Sequence, residues 1–152
     1  MVRRKIDKLL SRLLITIMAL MVINVLWQVF SRYVLGMASA FTDELARYFM
    51  IWLGIFGAAY VSGQNAHVAI DFLPSKLNAK KQQRLKVTVH MVVLLFAFFA
   101  LVIGGSRLVY LTFVLEQHSP ALKLPLALVY LVIPISGILV MYYKISDILS
   151  KQ

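Results

Sequence analysis

The residues able to do chemistry are few and scattered. Sixteen Lys and Arg stand against six Asp and Glu and three His in 152 residues, and there is no cysteine. Without cysteine there is no disulfide, no thiol catalysis and no thiolate metal site. His67 and Asp71 are four residues apart, a helical spacing that would suit two metal ligands. No third ligand accompanies them, so the segment reads as a polar surface loop. No nucleophile, base and acid fall into a set, and no glycine-rich loop is built for phosphate. The chain therefore reads as neither an enzyme nor a cofactor carrier.

What remains is charge in apolar surroundings, which is costly in a membrane and marks function by default. Three residues qualify: Arg47, His90 and Arg107. Arg47 has Glu44 at i−3 and Asp43 at i−4, and either gives a structural ion pair. His90 meets lipid headgroups or a neighbouring helix. Arg107 reaches outward, or pairs with Glu116 if its helix extends that far. All six carboxylates lie at the ends of apolar runs or in loops. A cation-coupled carrier needs a carboxylate or a broken helix near the membrane midplane, and neither is evident. The chain is not expected to move a substrate by itself.

The elements that position these residues are membrane helices. Hydrophobic residues make up 61% and charged residues 14%, against about a quarter charged in soluble domains. A hydrocarbon core of ~30 Å needs about 20 helical residues to cross, and backbone polar groups in lipid must be satisfied within the segment. The fold class is thus an all-α integral membrane protein, one four-span domain over residues 1–152, with spans near 13–33, 44–62, 87–110 and 126–143. The apolar run from Leu13 to Phe30 exceeds the roughly 7–15 residues of a signal-peptide core, so it reads as an uncleaved anchor. Asn24 and Gln28 share one face of it and suit interhelical hydrogen bonds.

The third apolar stretch, Val87 to Leu115, would measure roughly 43 Å as a helix. It must tilt, protrude or break at Gly104–Gly105. In the fourth span Pro134 removes a helical hydrogen bond and predicts a kink, while Tyr142, Tyr143 and Lys144 resemble an interfacial anchor. Between spans two and three, Pro74–Ser75 opens a short helix at the membrane surface, with Arg84 and Lys86 directed to phospholipid.

The second span carries the most pattern. Thr42, Asp43 and Glu44 precede it as cap and first turn. Trp52, Phe56 and Tyr60 recur every fourth residue and form an aromatic stripe. Gly54, Ala58 and Ser62 form a small-residue stripe on another face, which lets a second backbone approach closely. The small face is expected to press on a helix of this chain or of a partner, and the aromatic face to fill a groove or meet lipid.

Charge sets the orientation. A net charge of +10 would suggest nucleic acid for a soluble protein, but here the basic residues flank apolar runs. Twelve of the sixteen lie in the first twelve residues, the 63–86 segment and the last nine residues. The positive-inside rule then places both termini in the cytoplasm.

Read together, Glu44-x-x-Arg47-Tyr48, Trp52, Gly57-Ala58-Ala59-Tyr60, His67 and Asp71 resemble the small membrane subunit (Q subunit) of TRAP transporters, the tripartite ATP-independent periplasmic transporters. Ser119-Pro120-Ala121-Leu122-Lys123-Leu124-Pro125, then Val129-Tyr130 and Ile133-Pro134, resemble that family's approach to its last span. The likeness covers nearly the whole chain, although the segment between spans two and three is compact for the family. The resemblance implies a bacterial inner-membrane protein paired with a large elevator-type subunit that holds the substrate and sodium sites. A periplasmic binding protein would deliver an organic acid, such as sialic acid or a C4-dicarboxylate. The small subunit would brace the fixed scaffold without a cofactor. Arg32, Asp43 and Lys123 are the candidates for docking the binding protein, or else ordinary solvated loop charges. The competing reading is a self-sufficient four-span transporter working as a homodimer. Such proteins commonly carry a carboxylate inside the first span, and this one has none.

Overall fold

A computed structural model describes residues 2–36, 39–64 and 79–149, most of them in helices. Helix α1 is Val2–Tyr33 and α2 is Ala40–Gly63. Helix α3, Ala79–Phe96, passes without a break into a π-helical stretch, Ala97–Gly104, and on into α4, Gly105–Val114. After a loop come α5, Leu126–Tyr130, and α6, Val132–Leu149. Four rods are long and apolar enough to cross a membrane: Arg3–Tyr33, Ala40–Gly63, Val87–Val114 and Leu126–Ile148. The surface helix expected at Pro74–Ser75 lies outside the described residues, as do His67 and Asp71.

Helix α2 and the α5–α6 rod form the centre. Helix α1 packs on α2, and α2 packs on α6. The third rod lies on the far side, with its π-helical stretch and α3 against α6 and with α4 against α5. The core follows: Phe56, Val132, Tyr143 and Leu10 form one buried cluster, and Ala59, Ala97 and Val140 another. Elsewhere, large apolar side chains along α1 and the third rod face outward, as lipid or a membrane partner requires.

Helix 3 does not break at Gly104–Gly105. It widens into π-helical turns that end at Gly104. The reason lies across the interface, where the fourth rod comes in at van der Waals limits. A Cβ built on Gly105 would stand 2.7 Å from Ile133 Cγ2, and one on Gly137 would stand 2.8 Å from Leu101 Cβ. The backbone of α6 nests into the widened turn. In the fourth rod the helix is interrupted at Leu131, three residues before Pro134. A proline ring crowds the turn that precedes it and supplies no amide hydrogen.

Helix α2 starts earlier than the sequence suggests. Its cap is Ser39, whose side chain accepts from the Thr42 amide, and Ala40 is its first residue. Thr42 instead lies inside the first turn and donates to the Ser39 carbonyl at 2.9 Å.

Candidate functional site

Three sets of polar or small residues stand out, one at each end of the bundle and one midway. At the first end, Asn24 donates to the Thr42 carbonyl at 2.7 Å and Gln28 to Asp43 Oδ1 at 3.1 Å. These bonds join α1 to the start of α2, as the spacing of the two amides predicts. Arg47 lies 3.5 Å from Asp43 on an exposed helical turn, a geometry worth little on its own.

Glu44 takes no part in that pair. It is buried, and its Oε2 accepts from the amides of Ala121 and Leu122 at 3.1 and 2.9 Å. The loop it holds is compact. Ser119 and Leu124 are bonded across it, the Leu126 amide donates to the Gln117 carbonyl at 2.9 Å, and Lys123 sits at φ 52°. A single carboxylate thus clasps the last interhelical loop to the head of α2. Arg32, Asp43 and Lys123 are all exposed at this same end. Arg107 and Glu116 are both exposed and unpaired with each other.

The clasp gives a direct prediction. Glu44→Gln keeps the shape but removes the charge from two hydrogen bonds, a loss of about 1.4 kcal/mol. Loop opening should rise roughly tenfold, read as faster tryptic cleavage after Lys123. Unchanged cleavage would show that the carboxylate does not hold the loop.

At the opposite end a second polar cluster joins three helices. Arg3 Nη1 lies 2.8 Å from Asp147 Oδ1, and its other nitrogen donates to the Gly63 carbonyl. The same guanidinium stands over the Tyr143 ring, 5.6 Å from its centroid. Tyr143 donates to Asp7 Oδ1 at 2.6 Å, and Lys144 Nζ donates to the Ser62 carbonyl at 3.0 Å. Tyr143 and Lys144 are fully buried. They are not the lipid-facing anchor that the Tyr-Tyr-Lys order suggests. His90 is also buried within the protein. Arg84 is exposed, and the side chain of Lys86 lies outside the described residues.

Midway, the aromatic stripe of α2 packs into the bundle, the groove alternative of the two that its sequence offers. Phe56 is buried in the core, with Trp52 and Tyr60 packed beside it. Trp52 Nε1 donates to the Val129 carbonyl at 3.0 Å, just before the interruption of the fourth rod. Gly54 and Ala58 are exposed, and a Cβ on Gly54 would meet nothing within 4 Å. Only the last member of that stripe, Ser62, is buried. The Gly54–Ala58 part of the small-residue face is therefore left open among the described residues.

The described residues hold no group of three His, Cys, Asp or Glu able to bind a metal. Their carboxylates fall at the two ends of the bundle: Asp7 and Asp147 at one, Asp43, Glu44 and Glu116 at the other. Arg3, Asp7 and Asp147 carry these arrangements and are not singled out by the sequence. Their partners lie up to 144 residues away, so no local spacing reveals them.

A sequence model for the DctQ component of tripartite ATP-independent periplasmic transporters matches residues 21–152. The chain belongs to the DctQ family. It is 35% identical over 145 residues to a Haemophilus influenzae protein described as a TRAP transporter small permease, covering 95% of this chain and 88% of that one. It is 32% identical over 112 residues to the C4-dicarboxylate TRAP small permease DctQ of Rhodobacter capsulatus, covering 70% and 47% of the two chains. It is 27% identical over 104 residues to the sialic acid TRAP small permease SiaQ of Vibrio cholerae, covering 68% and 60%. A DctQ-family chain is a multi-pass membrane permease subunit of a transporter and not an enzyme, and a tripartite transporter implies further components. In this DctQ-family chain the polar side chains close the bundle at its two ends.

Proposed function

We propose that the chain is the bracing subunit of a sodium-gradient-driven TRAP transporter for an organic acid, in the bacterial inner membrane. It pairs with the large elevator-type subunit, and a periplasmic binding protein delivers the substrate. Both termini are cytoplasmic, which fits the basic residues of α1 and the 63–86 segment. The observation that carries this reading is the open Gly54–Ala58 face: a stripe suited to close helix contact, exposed among the described residues. The clasped and cross-linked ends support it, since they make a rigid unit suited to a fixed scaffold. Arg32, Asp43 and Lys123 are then on the periplasmic side, available to the binding protein. C4-dicarboxylates and sialic acid are the substrate classes that the relatives suggest.

Gly54→Leu and Ala58→Leu should leave the isolated chain folded, because both positions are open, and should reduce recovery of the complex with the large subunit by about tenfold. Equal recovery would remove the proposed contact. Function is tested by sodium-dependent uptake in proteoliposomes containing this chain, the large subunit, or both, each with binding protein and candidate acids. Uptake only with both supports the bracing role. Uptake by this chain alone would overturn it.

A further inference from the structure

We infer that α1 and α2 form a binding site for an anionic glycerophospholipid, with its phosphate on a basic ladder of α1 and one acyl chain in the groove between the helices. The basic residues of α1 divide by face. Arg3 turns inward to Asp147. Arg4, Lys8 and Arg12 follow at every fourth residue on the outer side, all exposed. None of the three has an ion-pair partner among the described residues. Continuing along that same face, Ile15, Ala19 and Val22 line one wall of a groove of about 820 Å³. Leu53, Gly57 and Val61 of α2 line the other. A positive ladder thus runs into an apolar trough, the order in which a lipid presents phosphate and then hydrocarbon.

Length selects the occupant. The groove runs from Leu14 to Ile23 on α1, roughly 14 Å of helix. That is about half of the ~30 Å hydrocarbon thickness, so it matches the chain of one leaflet. A spanning partner helix would need a trough of full depth. Charge selects the headgroup, since three exposed cations with no ion-pair partner among the described residues favour a net anionic lipid over a zwitterionic one. At Gly57 a Cβ would meet nothing within 4 Å, so this position opens on free space in the groove wall.

The test uses the purified full-length chain titrated with phosphatidylglycerol or phosphatidylcholine and read by native mass spectrometry. The wild type should prefer phosphatidylglycerol. The triple variant R4Q/K8Q/R12Q should bind it about a hundredfold more weakly, from three roughly fivefold contributions. Gly57→Leu fills the trough and should weaken both lipids, which diffuse surface attraction would not do. Arg107→Gln, exposed and on another rod, should change neither. Equal affinity for the two lipids in the wild type, a measurement that needs no variant, would overturn the site. So would full retention by Gly57→Leu, or a photocrosslinker at Val22 that captures polypeptide in place of lipid in native membranes.

Discussion

Gly137→Val is expected to abolish recovery of the folded chain. Even the first added carbon would lie 2.8 Å from Leu101 Cβ, 2.9 Å from Val102 Cγ2 and 3.2 Å from the Val102 backbone nitrogen. A flexible side chain could swing aside, but the backbone nitrogen cannot move without shifting the π-helical stretch. Overpacking of tight cores typically costs about 1–3 kcal/mol, and valine adds two further methyl groups to this clash. The third rod must then separate from α6, and with it Ala97 from Val140, which belong to one of the two core clusters. Gly137→Ala should lower stability by about 2 kcal/mol, at the middle of that range. Gly54→Ala is the control, because its added carbon meets nothing within 4 Å. Thermal unfolding in detergent, followed by size-exclusion profile, checks all three. A wild-type transition in Gly137→Val would show that α6 does not seat in the widened turn.

The four rods are legible in the sequence because span length and hydropathy depend only on local composition. The interhelical bonds of Asn24 and Gln28 are legible for the same reason: polar amides on an apolar face need partners, and the neighbouring helix start supplies them. Orientation about the helix axis is less accessible. Periodicity shows that the Trp52 and Gly54 faces differ, but not which one the fourth rod covers. The structure places the aromatic face inward because Trp52 finds a carbonyl at the interruption before Pro134, and that match joins residues 77 apart. Glu44 illustrates the same limit. Beside Arg47 it reads as half of an ion pair, yet the amides of Ala121 and Leu122 offer a buried carboxylate two aligned donors. Tyr143 and Lys144 at a span end look the same whether they face lipid or protein. Only the distant Asp7 and the Ser62 carbonyl decide it.

Arg3→Gln should destabilise the chain by about 3 kcal/mol, the lower end of the range for breaking a buried pair. The lower end applies because the Arg3 side chain is 30% exposed while that of Asp147 is 2% exposed. The substitution leaves the Asp147 carboxylate in the protein interior without its guanidinium, and it also removes a donor from the Gly63 carbonyl and the cation from the Tyr143 ring. Asp147→Asn should cost less, since the amide oxygen still accepts from Arg3. The double variant Arg3→Gln/Asp147→Asn should recover part of the Arg3→Gln loss, which distinguishes a charge effect from loss of packing. Because this cluster ties α1 to the ends of α2 and α6, its failure should expose the first turns of α1. Tryptic cleavage after Arg4 and Lys5 would then accelerate in Arg3→Gln and return towards wild type in the double variant. Equal stability of Arg3→Gln and wild type would mean that the 2.8 Å contact contributes nothing, and that the Tyr143–Asp7 and Lys144–Ser62 bonds close this end of the bundle without it.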